Sequence, residues 1–171
     1  KNKSQALKNC RKVMKETKCD GIKLEGGRNI NEIVKHLIKH KIPVMGHIGI
    51  TPQSVRGKFR YKGKSEIEKK NLLKDAKSLE DAGVFAVVLE CIERIASKEI
   101  TESIKIPTIG IGSSNFCDGQ ILVTDDLLGL TDTKIKFVKK YADLKSNVRK
   151  AIKKFKLDVK KGSYPSIKYS Y

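Results

Sequence analysis

Short apolar runs that end in glycine or a charged residue alternate with amphipathic stretches along most of this chain, and that alternation is the strongest constraint on its fold. Asn9 to Thr17 has helical patterning, and Cys19 to Glu25 reads as a strand closed by Gly26-Gly27. In Asn31 to His40, Ile33, Val34, Leu37 and Ile38 share one helical face. Ile42-Pro43 leads into a strand from Val44 to Ile48, followed by a polar, glycine-containing loop from Thr51 to Gly63. A long helix is expected over Ser65 to Ala82, with Ile67, Leu72, Ala76 and Leu79 as its buried stripe and Gly83 as its stop. Phe85 to Leu89 is the next strand and Ile92 to Ser103 the next helix. Pro107 introduces a strand over Thr108 to Ile111, and Gly119 precedes one over Gln120 to Val123. Lys134 to Lys156 is expected to be a helical region, and the stretch from Lys160 to Tyr171 a polar, loose tail.

Five strands near residues 21–25, 44–48, 85–89, 108–111 and 120–123, separated by helices, predict an α/β fold with a parallel sheet. Two architectures satisfy that pattern: an open doubly wound sheet, or part of a (β/α)8 TIM barrel. A whole barrel needs roughly 200 residues or more. The 171 residues here would supply about five of its eight strands, and no strand precedes the first helix-like segment. The expectation is therefore a single domain, the C-terminal portion of a barrel whose N-terminal portion is absent.

Composition narrows the function classes. The formal net charge of +18 invites a nucleic-acid reading. Yet arginine, the usual reader of phosphate forks and base edges, occurs only at positions 11, 28, 56, 60, 94 and 149. The lysines are spread over the whole chain rather than gathered into a stripe, as expected of solvated helix surfaces. No apolar run is long enough to cross a bilayer, and residues 1–12 lack the apolar core of a signal peptide. The expectation is a cytoplasmic protein with neither nucleic acid nor membrane as partner. Cys10, Cys19, Cys91 and Cys117 show no C-x-x-C spacing, so they read as reduced thiols rather than a zinc site.

Alternation within the strands picks out the polar residues that matter. Lys23 and Glu25 share one face of the first strand, opposite Ile22 and Leu24, and Glu90 falls at the C-terminal end of the third, with Ala86 and Val88. Charges on an inner barrel face must be paired, bound to metal or catalytic, and barrel enzymes place their chemistry at the strands' C-terminal ends. Each has a plainer alternative. Lys23 and Glu25 fit a structural ion pair, and Glu90 fits a cap on the following helix. His47, on a face with Met45 and Gly49, reads as a hydrogen-bonded core histidine, and His36 and His40 as a solvated helix face. Gly110 and Gly112 alternate with Ile109 and Ile111; glycines on the inner face would leave space for a ligand, though as a phosphate cradle the pattern lacks a third glycine and a lysine.

Taken in order, several segments resemble the ketopantoate hydroxymethyltransferase (3-methyl-2-oxobutanoate hydroxymethyltransferase) family. They are Gly21-Ile-Lys-Leu-Glu-Gly-Gly27, Pro43-Val-Met-Gly-His-Ile-Gly-Ile-Thr-Pro-Gln-Ser54, Val87-Val-Leu-Glu-Cys91, Ile106-Pro-Thr-Ile-Gly-Ile-Gly112 and Cys117-Asp-Gly-Gln-Ile-Leu-Val123. The likeness runs from about Cys10 to Leu144. It implies a (β/α)8 barrel of pantothenate (coenzyme A) biosynthesis. Such an enzyme moves a one-carbon unit from 5,10-methylenetetrahydrofolate to 3-methyl-2-oxobutanoate, giving 2-dehydropantoate, with Mg2+ on the keto acid. It also implies a cytoplasmic homo-oligomer, typically a decamer in bacteria. By position in those segments the resemblance makes Glu90 the proton acceptor, Lys23 a substrate-binding residue and Glu25 a metal ligand. The family's other metal ligands are aspartates after earlier strands that this sequence does not contain, so the segment alone is expected to be inactive. Arg56-Gly-Lys-Phe-Arg-Tyr-Lys62 departs from the family's usual Gly-Gly-Tyr-Lys. Two other classes compete: a Mg2+-dependent keto-acid barrel enzyme of the phosphoenolpyruvate mutase or isocitrate lyase type, and a basic nucleic-acid-binding module.

Overall fold

The computed structural model describes residues 2–53 and 60–171, which divide into two compact units, Lys1–Ile121 and Leu122–Tyr171. In the first, α1 (Lys3–Thr17) leads to β1 (Ile22–Glu25), α2 (Asn31–Lys39), β2 (Val44–Gly49), α3 (Glu66–Asp81), β3 (Ala86–Glu90), α4 (Arg94–Ser103), β4 (Thr108–Ile111) and β5 (Gly119–Gln120). The strands form one all-parallel sheet in the order β1-β2-β3-β4-β5. Spatial order equal to chain order is what a barrel wall requires. A doubly wound sheet reverses order at its switch point, and no reversal occurs among these strands.

Register assigns the faces. Ile22, Leu24, Val44, Gly46, Ile48, Val87, Leu89 and Gly110 share one side by their pairings. Ile22, Leu24, Val44, Ile48, Val87 and Leu89 pack there with Val34 and Leu37 of α2, Leu72, Ala76 and Leu79 of α3, and Ala96 and Ile100 of α4 in one core. A buried sheet face matched to the apolar stripes of three helices is the main favourable contribution to this unit. Gly46 is small because α3 leans on it: an added Cβ would lie 2.8 Å from Leu79 Cδ1. The opposite face carries Lys23, Glu25, Met45, His47, Ala86, Val88, Glu90, Ile109 and Ile111.

Several sequence expectations shift. Ile67 lies on the exposed side of α3, 74% accessible, while Leu72, Ala76 and Leu79 are buried; α3 begins at Glu66, and its first turn is solvent-facing. Gly110 is on the helix side, not the inner face. A Cβ there would sit 2.9 Å from the Gln120 side-chain amide and 3.1 Å from Cys117 Sγ, so the glycine makes room for protein rather than for a ligand. The last strand is Gly119–Gln120, not Gln120 to Val123, because Val123 already stands as the extended cap of a short helix, α5 (Thr124–Leu127), whose first turn carries Asp125 and Asp126.

In the second unit, Asp126 accepts a hydrogen bond from the Thr131 hydroxyl, and the Tyr141 amide returns to the Leu127 carbonyl at 2.8 Å. The final helix, α6 (Leu144–Lys160), starts at Leu144 rather than Lys134, since the Asp143 carboxylate accepts from the Ser146 amide at 3.2 Å and caps it there. Among the described residues no helix is long and apolar enough to cross a membrane.

Candidate active site

The C-terminal rim of the sheet is shaped by two close approaches. β2 ends at Gly49, whose φ of +100° and contact with the Glu90 carbonyl leave no place for a side chain; the Ile50 amide then donates to that same carbonyl at 2.9 Å. β3 ends at Glu90, followed by Cys91 with φ of +50°, unusual for a residue with a side chain. Hydrogen bonds on both sides hold Cys91 there: its amide donates to the Ile111 carbonyl at 2.9 Å, and its carbonyl accepts from the Lys62 amide at 2.8 Å. Backbone strain kept in place by its surroundings is characteristic of functional sites.

Four polar side chains meet on the face away from the helices. In register, Glu25 of β1 stands beside His47 of β2, Lys23 beside Met45, and Gly49 beside Glu90 of β3. Lys23 Nζ lies 3.0 Å from His47 Nδ1 and 4.0 Å from Glu25 Oε1. His47 Nδ1 lies 4.0 Å from Glu25 Oε1, and His47 Nε2 lies 3.1 Å from Glu90 Oε2. The last contact is close but poorly aligned, so the buried Nε2 makes no hydrogen bond to any described residue. Glu25 Oε2 accepts from the Gln53 amide at 3.1 Å, which ties the residues just after β2 to the site. Of the Arg56-Gly-Lys-Phe-Arg-Tyr-Lys62 stretch, positions 56–59 lie outside the described residues.

Burial and neighbouring charge set the protonation states. Glu90 is pushed above the usual carboxylate range, first by burial and then by the Glu25 charge, with Lys23 opposing. His47 is pushed below the usual imidazole range, again first by burial and then by the Lys23 ammonium. The Cys91 thiol rises to about 11, through burial and the adjacent Glu90.

The arrangement therefore joins a raised carboxylate, a neutral histidine, an ammonium and a second carboxylate on one rim. The plain alternatives for these residues fare unevenly. Glu90 does not cap α4; Glu93 does, accepting from the Ile95 and Ala96 amides at 2.8 and 3.0 Å. Lys23 lies nearer His47 than Glu25, so a simple Lys23–Glu25 pair does not describe the site. His47 is buried, as the sequence suggests, and its nitrogens lie within 3.0 Å of the Lys23 ammonium and 3.1 Å of a Glu90 carboxylate oxygen. Alternation placed it on this face; only the register of three strands puts it between Lys23 and Glu90. His36 and His40 lie elsewhere, on α2 and the residue after it, with ring centroids 4.4 Å apart.

Metal binding can be tested against the donor set. No group of three His, Cys, Asp or Glu side chains that could hold an ion occurs among the described residues. Glu25 nevertheless offers one hard oxygen donor of the type Mg2+ takes. Its Oε1 has both nearby cationic or ring nitrogens at 4.0 Å, beyond hydrogen-bonding distance. Mg2+ is commonly held by one or two carboxylates together with water and substrate oxygens. Glu25 fits one such ligand.

Comparison with known proteins gives the family. The family model for ketopantoate hydroxymethyltransferase matches residues 1–167. A 3-methyl-2-oxobutanoate hydroxymethyltransferase of Pelagibacter ubique (strain HTCC1062) is 53% identical over 171 residues, covering 100% of this chain and 66% of its own length. The protein of that name from Clostridium botulinum (strain Alaska E43 / Type E3) is 49% identical, covering 98% and 62%. That from Thermotoga maritima is 48% identical, covering 98% and 63%. The chain thus spans just under two thirds of the length of these relatives.

Proposed function

Because this chain belongs to the ketopantoate hydroxymethyltransferase family, we propose that it carries the enolising half of a site that transfers a hydroxymethyl group from 5,10-methylenetetrahydrofolate to 3-methyl-2-oxobutanoate. The product is 2-dehydropantoate, on the way to pantothenate. The reading extends to a cytoplasmic homo-oligomer that uses Mg2+. The single observation that carries it is the convergence of Lys23, Glu25 and Glu90 around His47 on one rim of a parallel sheet.

The chemistry asks for a carbanion equivalent next to a ketone. Glu90 is the base: its carboxylate takes the proton from C3 of the keto acid, the electron pair of that C–H bond becomes the C2=C3 double bond, and the carbonyl π pair moves onto the keto oxygen. A carboxylate raised by burial and by Glu25 is better matched to that task near neutral pH than an ordinary one. Lys23 sets a positive charge beside the substrate oxygens as negative charge grows there. Glu25 would hold Mg2+, which supplies Lewis-acid stabilisation of the keto and carboxylate oxygens. In net, the enolate carbon forms a bond to the folate-borne methylene carbon, both C–N bonds of that methylene break, water supplies the hydroxyl oxygen, and its protons together with the one taken by Glu90 end on the new hydroxyl and the two nitrogens of the departing tetrahydrofolate.

The test joins this segment to the part of the Pelagibacter relative that it does not span. With Mg2+, keto acid and 5,10-methylenetetrahydrofolate, 2-dehydropantoate should form, and formation should stop when the folate is left out. Keto-acid consumption that is indifferent to folate would point instead to a lyase or mutase of the barrel class.

A further inference from the structure

We propose that His47 is a positioning residue of this site: its Nδ1 takes a hydrogen bond from the Lys23 ammonium, and its Nε2–H lies within reach of the Glu90 carboxylate and anchors it after a small turn of that side chain, so that one side chain sets both. The inference rests on the reading of Lys23 and Glu90 given above and adds to it a residue that neither the family likeness nor the sequence assigned.

The tautomer follows from donor counting. A lysine ammonium has three donors and no acceptor. With Lys23 Nζ 3.0 Å from Nδ1, that nitrogen must be the acceptor, and the ring proton of a neutral imidazole then sits on Nε2. Nε2 is buried and has no hydrogen-bond partner among the described residues, which is costly for an N–H group. The Glu90 oxygen 3.1 Å away needs only a change of angle, not of distance, to accept it. The two ring nitrogens lie 3.0 Å from the Lys23 ammonium and 3.1 Å from a Glu90 oxygen, the groups to which the chemistry assigns charge.

Two consequences follow. Anchoring Oε2 of Glu90 leaves Oε1 as the oxygen that receives the substrate proton. Holding Lys23 through Nδ1 keeps its ammonium over the rim rather than collapsed onto Glu25, from which it stands 4.0 Å. The acceptor for Lys23 and the donor for Glu90 belong to one rigid ring, so their relative placement is fixed by the position of β2.

The test is nitrogen-15 NMR of the histidine rings in this chain, with His47 assigned among the three histidines by the signal lost in His47→Asn. The expected result is an Nδ1 resonance typical of an unprotonated acceptor and a protonated Nε2. Lys23→Met should shift the Nδ1 resonance and Glu90→Gln the Nε2 resonance. A ring protonated at Nδ1 overturns the proposal in the unsubstituted chain, whatever the variants do, and so does failure of either response. In the joined polypeptide described above, His47→Phe should lower kcat by roughly tenfold or more with a smaller change in KM. Unchanged kcat overturns the positioning role. If the unsubstituted polypeptide makes no product while the ring signature holds, it is the proposed function that fails and not the tautomer.

Discussion

Gly46→Ala, Leu79→Ala and the pair together test which way each face of the sheet points, and hence which residues can reach the site. Leu79 is fully buried against the sheet. Truncating it removes three carbons and leaves a cavity, which should cost about 2–5 kcal/mol. Gly46→Ala adds a methyl whose carbon would lie 2.8 Å from Leu79 Cδ1, 3.4 Å from Val87 Cγ2 and 3.6 Å from Leu79 Cγ. Favourable carbon contacts lie at about 3.5–4.0 Å, so one contact is well inside that range and α3 must shift; the cost should be about 1–3 kcal/mol. In the double variant the new methyl enters the space that Leu79 vacates. The two costs should therefore fall short of their sum by about 1 kcal/mol or more. Urea denaturation followed by circular dichroism gives the three values. Additivity within about 0.5 kcal/mol would mean that Gly46 does not face α3. Met45 and His47 would then not be on the opposite face either, and the site as described would fall.

Other expectations follow from the same structure. Glu90 has its folded-state titration raised, so the stability tied to its protonated form is present below the unfolded value of about 4.3 and is lost as pH rises through the folded value. The stability of Glu90→Gln relative to the parent should accordingly be flat at low pH and rise through that window in a pH series of urea melts; a fall with pH contradicts it. Ser65→Ala removes the acceptor of the Glu68 amide at the start of α3 and should cost about 1 kcal/mol in the same melts. Cys91, with a thiol near 11, should react at pH 8 on the order of a hundredfold more slowly with a disulfide reagent than free cysteine does, as followed by absorbance with the other cysteines replaced by serine.

Much of this was legible in the sequence because both periodicities are strong. Alternation placed Lys23 and Glu25 together on one face and Glu90 at the end of its strand with Ala86 and Val88, and β1 to β4 and α2 to α4 lie close to where apolar runs, Pro107 and Gly83 put them. What escaped was relational. The face of Gly110 depends on its pairing with Leu89 and Gln120, which strand-by-strand alternation cannot supply. Ile67 matches a helical stripe by spacing, but whether the first turn of α3 meets the sheet is a matter of tertiary placement. Val123 is apolar enough for a strand, yet Thr124-Asp125-Asp126 begins a helix there. His47 escaped for the deepest reason: its neighbours come from β1 and β3, separated from it by 24 residues to Lys23 and by a whole helix to Glu90.

The central claim is that Glu90, set on one rim with Lys23, Glu25 and His47, is the group that takes a proton from the carbon beside a ketone. Exchange of the C3 hydrogen of 3-methyl-2-oxobutanoate with deuterium oxide, followed by proton NMR in the joined polypeptide with Mg2+ and without folate, measures that step alone. Exchange should depend on the protein and disappear in Glu90→Gln. Exchange that persists at the parental rate in Glu90→Gln would contradict it.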